Sequence, residues 1–482
     1  MNSAIFVLAT ITAIAFILAI VQVKGKNHQL EEWAVGGRSF GVVLVFILMG
    51  GELYTTFTFL GGSSLAYNKG GACYYILCYS PIAYVLGYWL LPAIWKYAKE
   101  HNLISQSDFY IRKYDSKVLG ILVSLIGFIA LIPYLILQIK GLGIIVSETS
   151  YGAISANSAI WLCSALMVIY VVIAGMHGSV RVAVVKDVLI LAIVFFLGIY
   201  LPYHYFGGIE NTINLLEAKH PGFTMISNKD FNPVWFVSTV LLSAIGLYLW
   251  PHSFTSLYTS QSAKVLKKNA ILMSLYQFLL MFVFIIGFVA ALQLPGLSKA
   301  QSDLALIRLV INTFSPWFVG VIGAAGVLTA LVPGSIILLS IATLFIKNIM
   351  IPIIPACAEK EMLLVKLSVP FIMLIALFAN SYGGETIVGL LIVLLIVGYG
   401  LVSQLFPALV FSLCRNNPVS KLGAISGMLV GVIIMFISIL TKINFNDYLP
   451  AALNGLNIGI IALTANLIVT LIISRCERMY LC

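Results

Sequence analysis

The stretch FGVVLVFILMGGELYTTFTFLGG (40–62) decides the predicted fold, because it is long and apolar but interrupted. A helix needs about 20 apolar residues to cross the hydrocarbon layer of a bilayer. Gly50 and Gly51 lie in the middle of the stretch, and Glu52 follows them directly. Transporters place helices that are interrupted by glycine or proline near the bilayer midplane, where the substrate binds. The stretch therefore predicts a broken transmembrane helix beside a functional carboxylate.

A second stretch, VSTVLLSAIGLYLWPHSFTSLY (237–258), has the same character and comes five predicted helices later. Gly246 and Pro251 lie in it at a depth comparable to that of the glycine pair. Two interrupted helices with this separation predict two inverted repeats of five helices each, over 40–205 and 233–410. The alternative interpretation is that the glycines only let membrane helices pack closely.

Composition extends the membrane assignment to the whole chain. Of its 482 residues, 61% are hydrophobic and 9% are charged, whereas soluble domains carry charge at about 25% of positions. We therefore predict an all-α integral membrane protein that forms one transporter domain over 1–482, with an extra N-terminal helix at 1–23 and two C-terminal helices within 418–474. The predicted transmembrane helices number about thirteen and begin near residues 3, 40, 70, 117, 156, 180, 233, 268, 316, 361, 383, 418 and 450.

The basic residues predict the orientation of the chain in the membrane. The first apolar run has no Lys or Arg before it and no small-residue cleavage site, so it indicates a retained helix rather than a signal peptide. With its amino end outside, twenty of the 27 Lys and Arg residues fall on the inner side, as the positive-inside rule requires. We therefore expect a bacterial inner-membrane protein with a periplasmic N-terminus and a cytoplasmic C-terminus.

The same distribution explains the net charge of +10 without an acidic partner. No segment combines basic and aromatic residues as a nucleic-acid site does, so we expect no nucleic acid as partner. The predicted partners are the lipid bilayer and a small solute, and no obligate protein partner is inferred. The motifs GxSxG, HExxH, Walker A and GxGxxG are missing in the contexts that enzymes need. We expect no enzymatic activity, and an ion gradient as the energy source of any uphill transport.

Four ionisable residues fall inside predicted transmembrane helices: Glu52, Lys140, Asp187 and His252. Each costs roughly 2.5–3.5 kcal/mol on the insertion scale, so each is a candidate for function. For Glu52 the alternatives are a role in transport and a structural ion pair with Lys140. Asp187 is close enough to the cytoplasmic face to be half-solvated, and the neighbouring Lys186 is interpreted as a positive-inside charge. His252 is interpreted as a packing residue rather than a proton relay.

Four segments resemble, in order and spacing, the motifs of the sodium:solute symporter family. They are AVGGRSFG (34–41), DFYIRKY (108–114), GMHGSVRVAVVKDVLI (175–190) and PHSFTSLYTSQSAKVLKKN (251–269). Within that family, three further segments are most similar to bacterial monocarboxylate permeases. They are GGELYTTFTFLG (50–61), IPYLILQIKG (132–141) and LVPGSIILLSIATLFIKNI (331–349). The resemblance implies the inverted-repeat fold of the leucine transporter and substrates such as lactate, pyruvate or propionate.

The resemblance also implies a sodium site at the first broken helix. Family members bind this ion through backbone carbonyls, which fall here on Gly51, Tyr54 and Thr329. They add two neighbouring hydroxyls, but those positions hold Val332-Pro333, which cannot bind a cation, and Ser335, one turn on, supplies the nearest hydroxyl. The possible Na+ ligands are therefore Gly51, Tyr54, Thr329 and Ser335. The cation-coupling candidates as a whole are Gly51, Glu52, Tyr54, Asp187, Thr329 and Ser335.

We therefore predict a secondary symporter that imports a small monocarboxylate with Na+ or H+ as coupling ion and no other cofactor. Its pocket is expected between the two broken helices. The polar candidates to line the pocket are Glu52, Tyr54, Thr55, Thr58, Tyr134, Gln138 and Tyr248. Glu52 is expected to carry the coupling proton, or to bind a displaced sodium ion together with Ser335. The alternatives are a symporter for another small solute, such as pantothenate or proline, and a channel or uniporter without ion coupling.

Overall fold

The computed structural model describes residues 2–21, 30–227, 231–382, 391–441 and 445–481. Over these residues the chain is helical and contains no β-strand, which confirms the predicted all-α class. The helices of the first half are α1 (Asn2–Val21), α2 (Leu30–Val35), α3 (Val42–Leu53), α4 (Gly62–Lys69), α5 (Tyr74–Glu100), α6 (Gln106–Tyr114), α7 (Lys117–Thr149), α8 (Ala156–Phe206) and α9 (Ile209–Lys219). Those of the second half are α10 (Pro233–Gly246), α11 (Pro251–Tyr258), α12 (Ala263–Tyr276), α13 (Leu280–Gln293), α14 (Ala305–Thr313), α15 (Pro316–Thr343), α16 (Ile351–Ile353), α17 (Glu361–Tyr382), α18 (Leu391–Val402), α19 (Phe406–Ser412), α20 (Lys421–Thr441) and α21 (Ile458–Leu481).

Within those ranges, nine helical segments are long and apolar enough to cross a membrane, or ten if the bent pair α10 and α11 forms one span. The predicted count of about thirteen is not confirmed. One reason is that α8, with 51 residues, covers both of the runs predicted from 156 and 180. Another is that α3 has only 12 residues and cannot span alone. The start of the run predicted near 383 lies outside the described residues.

The long helix α8 bends at Gly175, where the backbone is not helical (φ 52°, ψ −148°). Only glycine adopts this conformation without strain. The bend also brings the helix against Trp33 of α2, which is buried. A methyl group at position 175 would lie 2.5 Å from Trp33 Cδ1. The glycine is therefore needed both for the bend and for the close approach of α2.

The first broken helix comprises α3, an irregular segment, a π-helical turn at Phe57–Gly61, and α4. The break lies at Tyr54 (φ −84°, ψ 78°), so the prediction that Gly50 and Gly51 interrupt the helix is wrong by a few residues. Both glycines lie inside α3, and a methyl group at Gly50 would make only an ordinary van der Waals contact, 3.4 Å from Met273 Cε.

Threonine hydroxyls stabilise the backbone at this break. The Thr55 N–H would donate to Gly51 O in a continuous helix, but it donates instead to Thr58 Oγ1 at 2.8 Å. The Thr58 hydroxyl in turn donates to Leu53 O at 2.9 Å. Such side-chain bonds satisfy backbone groups that a break in a membrane helix releases. One consequence is that the carbonyl of Gly51 becomes available to another donor.

The second broken helix confirms the predicted interruption between Gly246 and Pro251. Here α10 ends in a 3₁₀ turn, Trp250 is extended (φ −68°, ψ 133°), and α11 begins at Pro251. The two helices make an angle of 52°. Proline lacks the N–H that a continuing helix needs and disfavours a helical conformation in the preceding residue. The local sequence is therefore sufficient to explain this break.

Hydrogen bonds join the start of the first broken helix to the end of the second. Phe40, just before α3, forms a parallel β-bridge with Ser260, just after α11. Its N–H donates to Thr259 O and its carbonyl accepts from the Gln261 N–H, both at 3.0 Å. The Trp95 indole of α5 donates to Ser260 O at 2.8 Å. The beginning of the first broken helix is thus joined to the end of the second by backbone hydrogen bonds.

Asp108, in the predicted DFYIRKY motif, connects α6 to the segment that follows α15. Its carboxylate caps α6 by accepting from the Ser105 N–H at 3.0 Å, and it accepts from Lys347 Nζ at 2.7 Å and Asn348 Nδ2 at 2.8 Å. Burial alone would raise the pKa of Asp108, but the Lys347 ammonium and these hydrogen bonds hold it below its usual value. Asp108 of the motif therefore holds α6 against the segment that follows α15.

Candidate functional site

A narrow cavity lies between the two broken helices. The space in it that is open to the centre of a water molecule measures about 30 Å³, so it suits a small solute better than a bulky one. The helices α5, α7 and α18 complete its wall. The lining residues are Met49, Glu52, Leu53, Thr55, Phe57, Tyr79, Tyr84, Tyr134, Leu247, Tyr248, Trp250, His252, Ser253, Leu395 and Tyr399.

Seven of the fifteen lining residues are Phe, Tyr or Trp. Five of these are buried tyrosines, and their rings contact one another or Trp250 edge-on or tilted. For example, Tyr84 lies 5.8 Å from Tyr248, and Tyr134 lies 5.1 Å from Trp250, measured between ring centroids. The Tyr248 hydroxyl and His252 Nδ1 have no hydrogen-bond partner among the described residues. Both are buried polar atoms of residues that line the cavity.

Among the lining residues that the structure describes, Glu52 is the only acidic one and none is Lys or Arg. Its carboxylate accepts hydrogen bonds from two α11 hydroxyls: Ser253 Oγ at 3.2 Å and Ser256 Oγ. The carboxylate on the first broken helix is thus held by the first turns of α11, the second half of the second broken helix. A solute in the cavity would meet one carboxyl group and no Lys or Arg side chain.

Four of the seven predicted pocket residues line the cavity: Glu52, Thr55, Tyr134 and Tyr248. The other three lie behind the break. The Tyr54 hydroxyl donates to Tyr276 O at 3.4 Å, and the two rings are 4.8 Å apart. Thr58 caps the break, as described above, and Gln138 Oε1 accepts from Thr56 Oγ1 at 2.8 Å. These three shape the backbone of the site without facing its interior.

Sequence reasoning missed several lining residues, among them Tyr79, Tyr84 and Tyr399, and the two serines that bind Glu52. A signal for the first two was present. The sequence YYILCYSPIAYVLGYW (74–89) places five tyrosines in one predicted membrane helix, and α5 turns two of them into the cavity. Tyrosines with buried hydroxyls need partners, so such a series indicates a polar interior site.

Lys186 lies where the family resemblance implies a sodium ion. Its ammonium donates to Gly51 O at 3.2 Å and to Tyr54 O at 3.1 Å, and lies 2.7 Å from Asp187 Oδ1. Lys186 is fully buried and Asp187 is 5% exposed. The expectations of a half-solvated Asp187 and of a solvated, positive-inside Lys186 are therefore wrong. The helix α8 presents this pair to the break in α3 instead of to the cytoplasmic face.

The remaining predicted sodium ligands do not complete a site. The Thr329 hydroxyl donates to Ala325 O within its own helix, at 2.7 Å. The Ser335 hydroxyl donates to Val332 O at 2.6 Å and lies 2.9 Å from Ser179 Oγ. Val332 faces the break, since its Cγ1 would lie 3.6 Å from a methyl group at Gly51. With an ammonium on two of its carbonyls and an isopropyl group beside them, this position does not fit a sodium ion.

Lys140 is not the partner of Glu52. The carboxylate with which it interacts electrostatically is that of Asp303, which lies in the 3₁₀ segment before α14. The alternative in which Lys140 neutralises Glu52 is therefore not supported, and the ammonium group that contacts the first break is that of Lys186.

Comparison with known proteins agrees with this architecture. The sequence model of the sodium:solute symporter family matches residues 33–431. The uncharacterized symporter YhjB of Bacillus subtilis is 51% identical over 99% of this chain and 98% of its own length. A monocarboxylate transport permease of Rhizobium johnstonii is 27% identical over 71% of this chain and 69% of its own.

Among solved structures, a Na+-coupled sialic acid symporter superposes with a TM-score of 0.81 at 16% identity, covering 98% of this chain and 97% of its own. At that identity the likeness establishes the shared fold only. The family match covers most of the chain, includes both broken helices and identifies a transporter rather than an enzyme. This multi-pass membrane protein belongs to the sodium:solute symporter family.

Proposed function

We propose that this chain imports a small monocarboxylate, of the lactate, pyruvate or propionate type, by symport across the bacterial inner membrane. The observation that carries the proposal is the narrow, tyrosine-lined cavity between the broken helices. Hydroxyl donors and the amino end of α11 would bind one carboxylate, because a helix N-terminus carries partial positive charge. The monocarboxylate permease among the relatives supports the same class of substrate.

The charge of the cavity bears on coupling. An anionic solute next to an ionised Glu52, with no Lys or Arg among the described lining residues, would meet like-charge repulsion. A proton on Glu52 removes that repulsion, so the anion and the proton would bind together. Sodium is the coupling ion for which the family is named. A sodium site shared by Glu52 and Ser335 has little support, because Ser335 is bonded to Ser179 and Glu52 to Ser253 and Ser256.

The substrate is tested by reconstituting the purified protein into liposomes. Uptake of lactate, pyruvate, propionate and acetate is measured under sodium and proton gradients that are imposed separately, with citrate and proline as controls. We expect concentrative uptake of at least one monocarboxylate and none of citrate. Accumulation of citrate alone would contradict the proposal. Uptake that only equilibrates the solute under both gradients would indicate a uniporter.

A zwitterionic solute such as proline is the second candidate, because one observation favours it. Glu52 is the only acidic residue among the described lining residues, and a carboxylate is the natural partner of a solute ammonium group. On this alternative, proline uptake would exceed monocarboxylate uptake in the same liposomes, and Glu52 would bind the solute directly.

The orientation of the chain in the membrane is a separate prediction, which rests on the distribution of its basic residues. We expect a reporter fused after Cys482 to be cytoplasmic and one inserted in the loop 203–232 to be periplasmic. Phe223 O in that loop accepts from the Gly71 N–H at 2.9 Å, so the loop packs on the turn between α4 and α5, which the same topology puts outside. Accessibility of both reporters to impermeant labels is the measurement. Labelling of the C-terminal reporter from outside would overturn the topology.

A further inference from the structure

We propose that the Lys186 ammonium is a tethered cation that takes the place of a sodium ion at the first helix break, so that this position needs no sodium during transport. The inference goes beyond the proposed function and holds for any solute. It starts from a disagreement at the break: the residues at this position do not fit sodium, although the family resemblance implies it.

The geometry fits an ammonium group well. A lysine has three N–H donors. The Lys186 ammonium donates to Gly51 O at 3.2 Å and to Tyr54 O at 3.1 Å, and it forms an ion pair with Asp187, whose Oδ1 lies 2.7 Å from Nζ. The Gly51 carbonyl is available because Thr55 N–H has turned to Thr58 Oγ1. The break thus creates the acceptor that Lys186 uses.

A purely structural ion pair explains less of this arrangement. Lys186 and Asp187 are neighbours in one helix and could neutralise each other without contacting α3. The ammonium instead reaches both carbonyls across the helix interface and is fully buried there. Apolar groups stand near it, since a methyl group on Gly51 would lie 3.4 Å from Lys186 Nζ and within 4 Å of both Ala183 Cβ and Val332 Cγ1. A buried charge in such surroundings requires partners, and two of the three are groups that the family resemblance assigns to the ion.

Removing the ammonium leaves two carbonyls and a carboxylate around a vacated space. Oxygen atoms of this kind are what a hard cation binds. We therefore expect the Lys186→Ala variant to bind a free cation at this position, which the native chain does not do. Val332-Pro333 still lack the two hydroxyls that family members offer to sodium. In this variant the Asp187 carboxylate, which has lost its ammonium partner, can supply oxygen ligands in their place.

The test measures the melting temperature of purified protein in sodium chloride and in choline chloride at equal ionic strength. Lys186→Ala should melt below the native chain in choline and recover by several degrees in sodium, whereas the native chain should respond less. Lys186→Met fills the space without charge, so it should melt lower in both salts. In Lys186→Ala/Asp187→Asn the carboxylate is gone, and the sodium response should be lost with it.

The proposal is wrong if Lys186→Ala responds to sodium no more than the native chain does. Should the alanine variant fail to fold, Lys186→Ser is measured by the same criterion, since its hydroxyl can join the ligands of a small cation. Because no solute is added, failure here is distinguishable from failure of the monocarboxylate assignment. A native chain whose solute uptake is unchanged when choline replaces sodium would be independent support.

Discussion

Replacing Glu52 with glutamine is expected to abolish uphill accumulation of solute while leaving solute exchange intact. The substitution keeps the shape of the side chain and one oxygen that can accept from Ser253 or Ser256. It fixes the group in a neutral form, which is the form that admits an anion to a cavity whose described lining contains no Lys or Arg. If one proton moves with each anion, a gradient of one pH unit sustains about tenfold accumulation. The variant should sustain none.

The measurement compares two modes of transport in the same liposomes: uptake driven by an inward proton gradient, and counterflow into liposomes preloaded with unlabelled solute. Glu148→Gln is the matched control, because Glu148 is paired with Arg308 at 3.3 Å and does not line the cavity. If Glu52→Gln accumulates solute to the same level as the native protein, Glu52 has only a structural role, and Asp187 would be tested next. Loss of both modes would instead favour direct binding of a solute ammonium group by Glu52.

Replacing Gly141 with alanine should block transport by a different route. A methyl group there would lie 1.8 Å from Thr56 Cγ2, and Thr56 forms part of the first break. Neither helix can yield easily, because both residues are buried and Thr56 Oγ1 is bonded to Gln138. Overpacking of this kind typically costs about 1–3 kcal/mol. We expect a lower melting temperature and a large loss of counterflow.

The collision between position 141 and Thr56 predicts a second substitution that should relieve it. Thr56→Ser removes the methyl group that collides and keeps the hydroxyl that bonds Gln138, so Gly141→Ala/Thr56→Ser should regain much of the lost stability and counterflow. Gly41→Ala is the control for glycine replacement, since the nearest side-chain atom would lie 3.6 Å away. If the double variant is no better than Gly141→Ala alone, the steric explanation is incorrect.

The fold class was accessible from sequence because it rests on local properties. Apolar runs of sufficient length predict membrane helices, and Gly246 with Pro251 predicts a break, since proline acts on its own turn and the one before. The break predicted at Gly50-Gly51 lies a few residues later, at Tyr54, for a physical reason. Glycine serves close packing as readily as it serves a break, and what ends α3 is the set of hydroxyls that follows it.

The site was only partly accessible, because it depends on which helices meet. Glu52, Thr55, Tyr134 and Tyr248 could be selected as polar residues in apolar runs near the breaks. Lys186 could not be placed in the same way. It stands in a segment with other basic residues, which suggests the cytoplasmic face, and only the packing of α8 on α3 brings its ammonium to Gly51 and Tyr54.

The β-bridge between Phe40 and Ser260 has a mechanical consequence for alternating access. Backbone hydrogen bonds on both sides of Phe40 bind the start of one broken helix to the end of the other. A displacement of either end must carry the other with it, or else break two bonds at once. The two broken helices are therefore joined at one end of the cavity. We expect them to tilt together as one rigid unit during transport rather than to move independently.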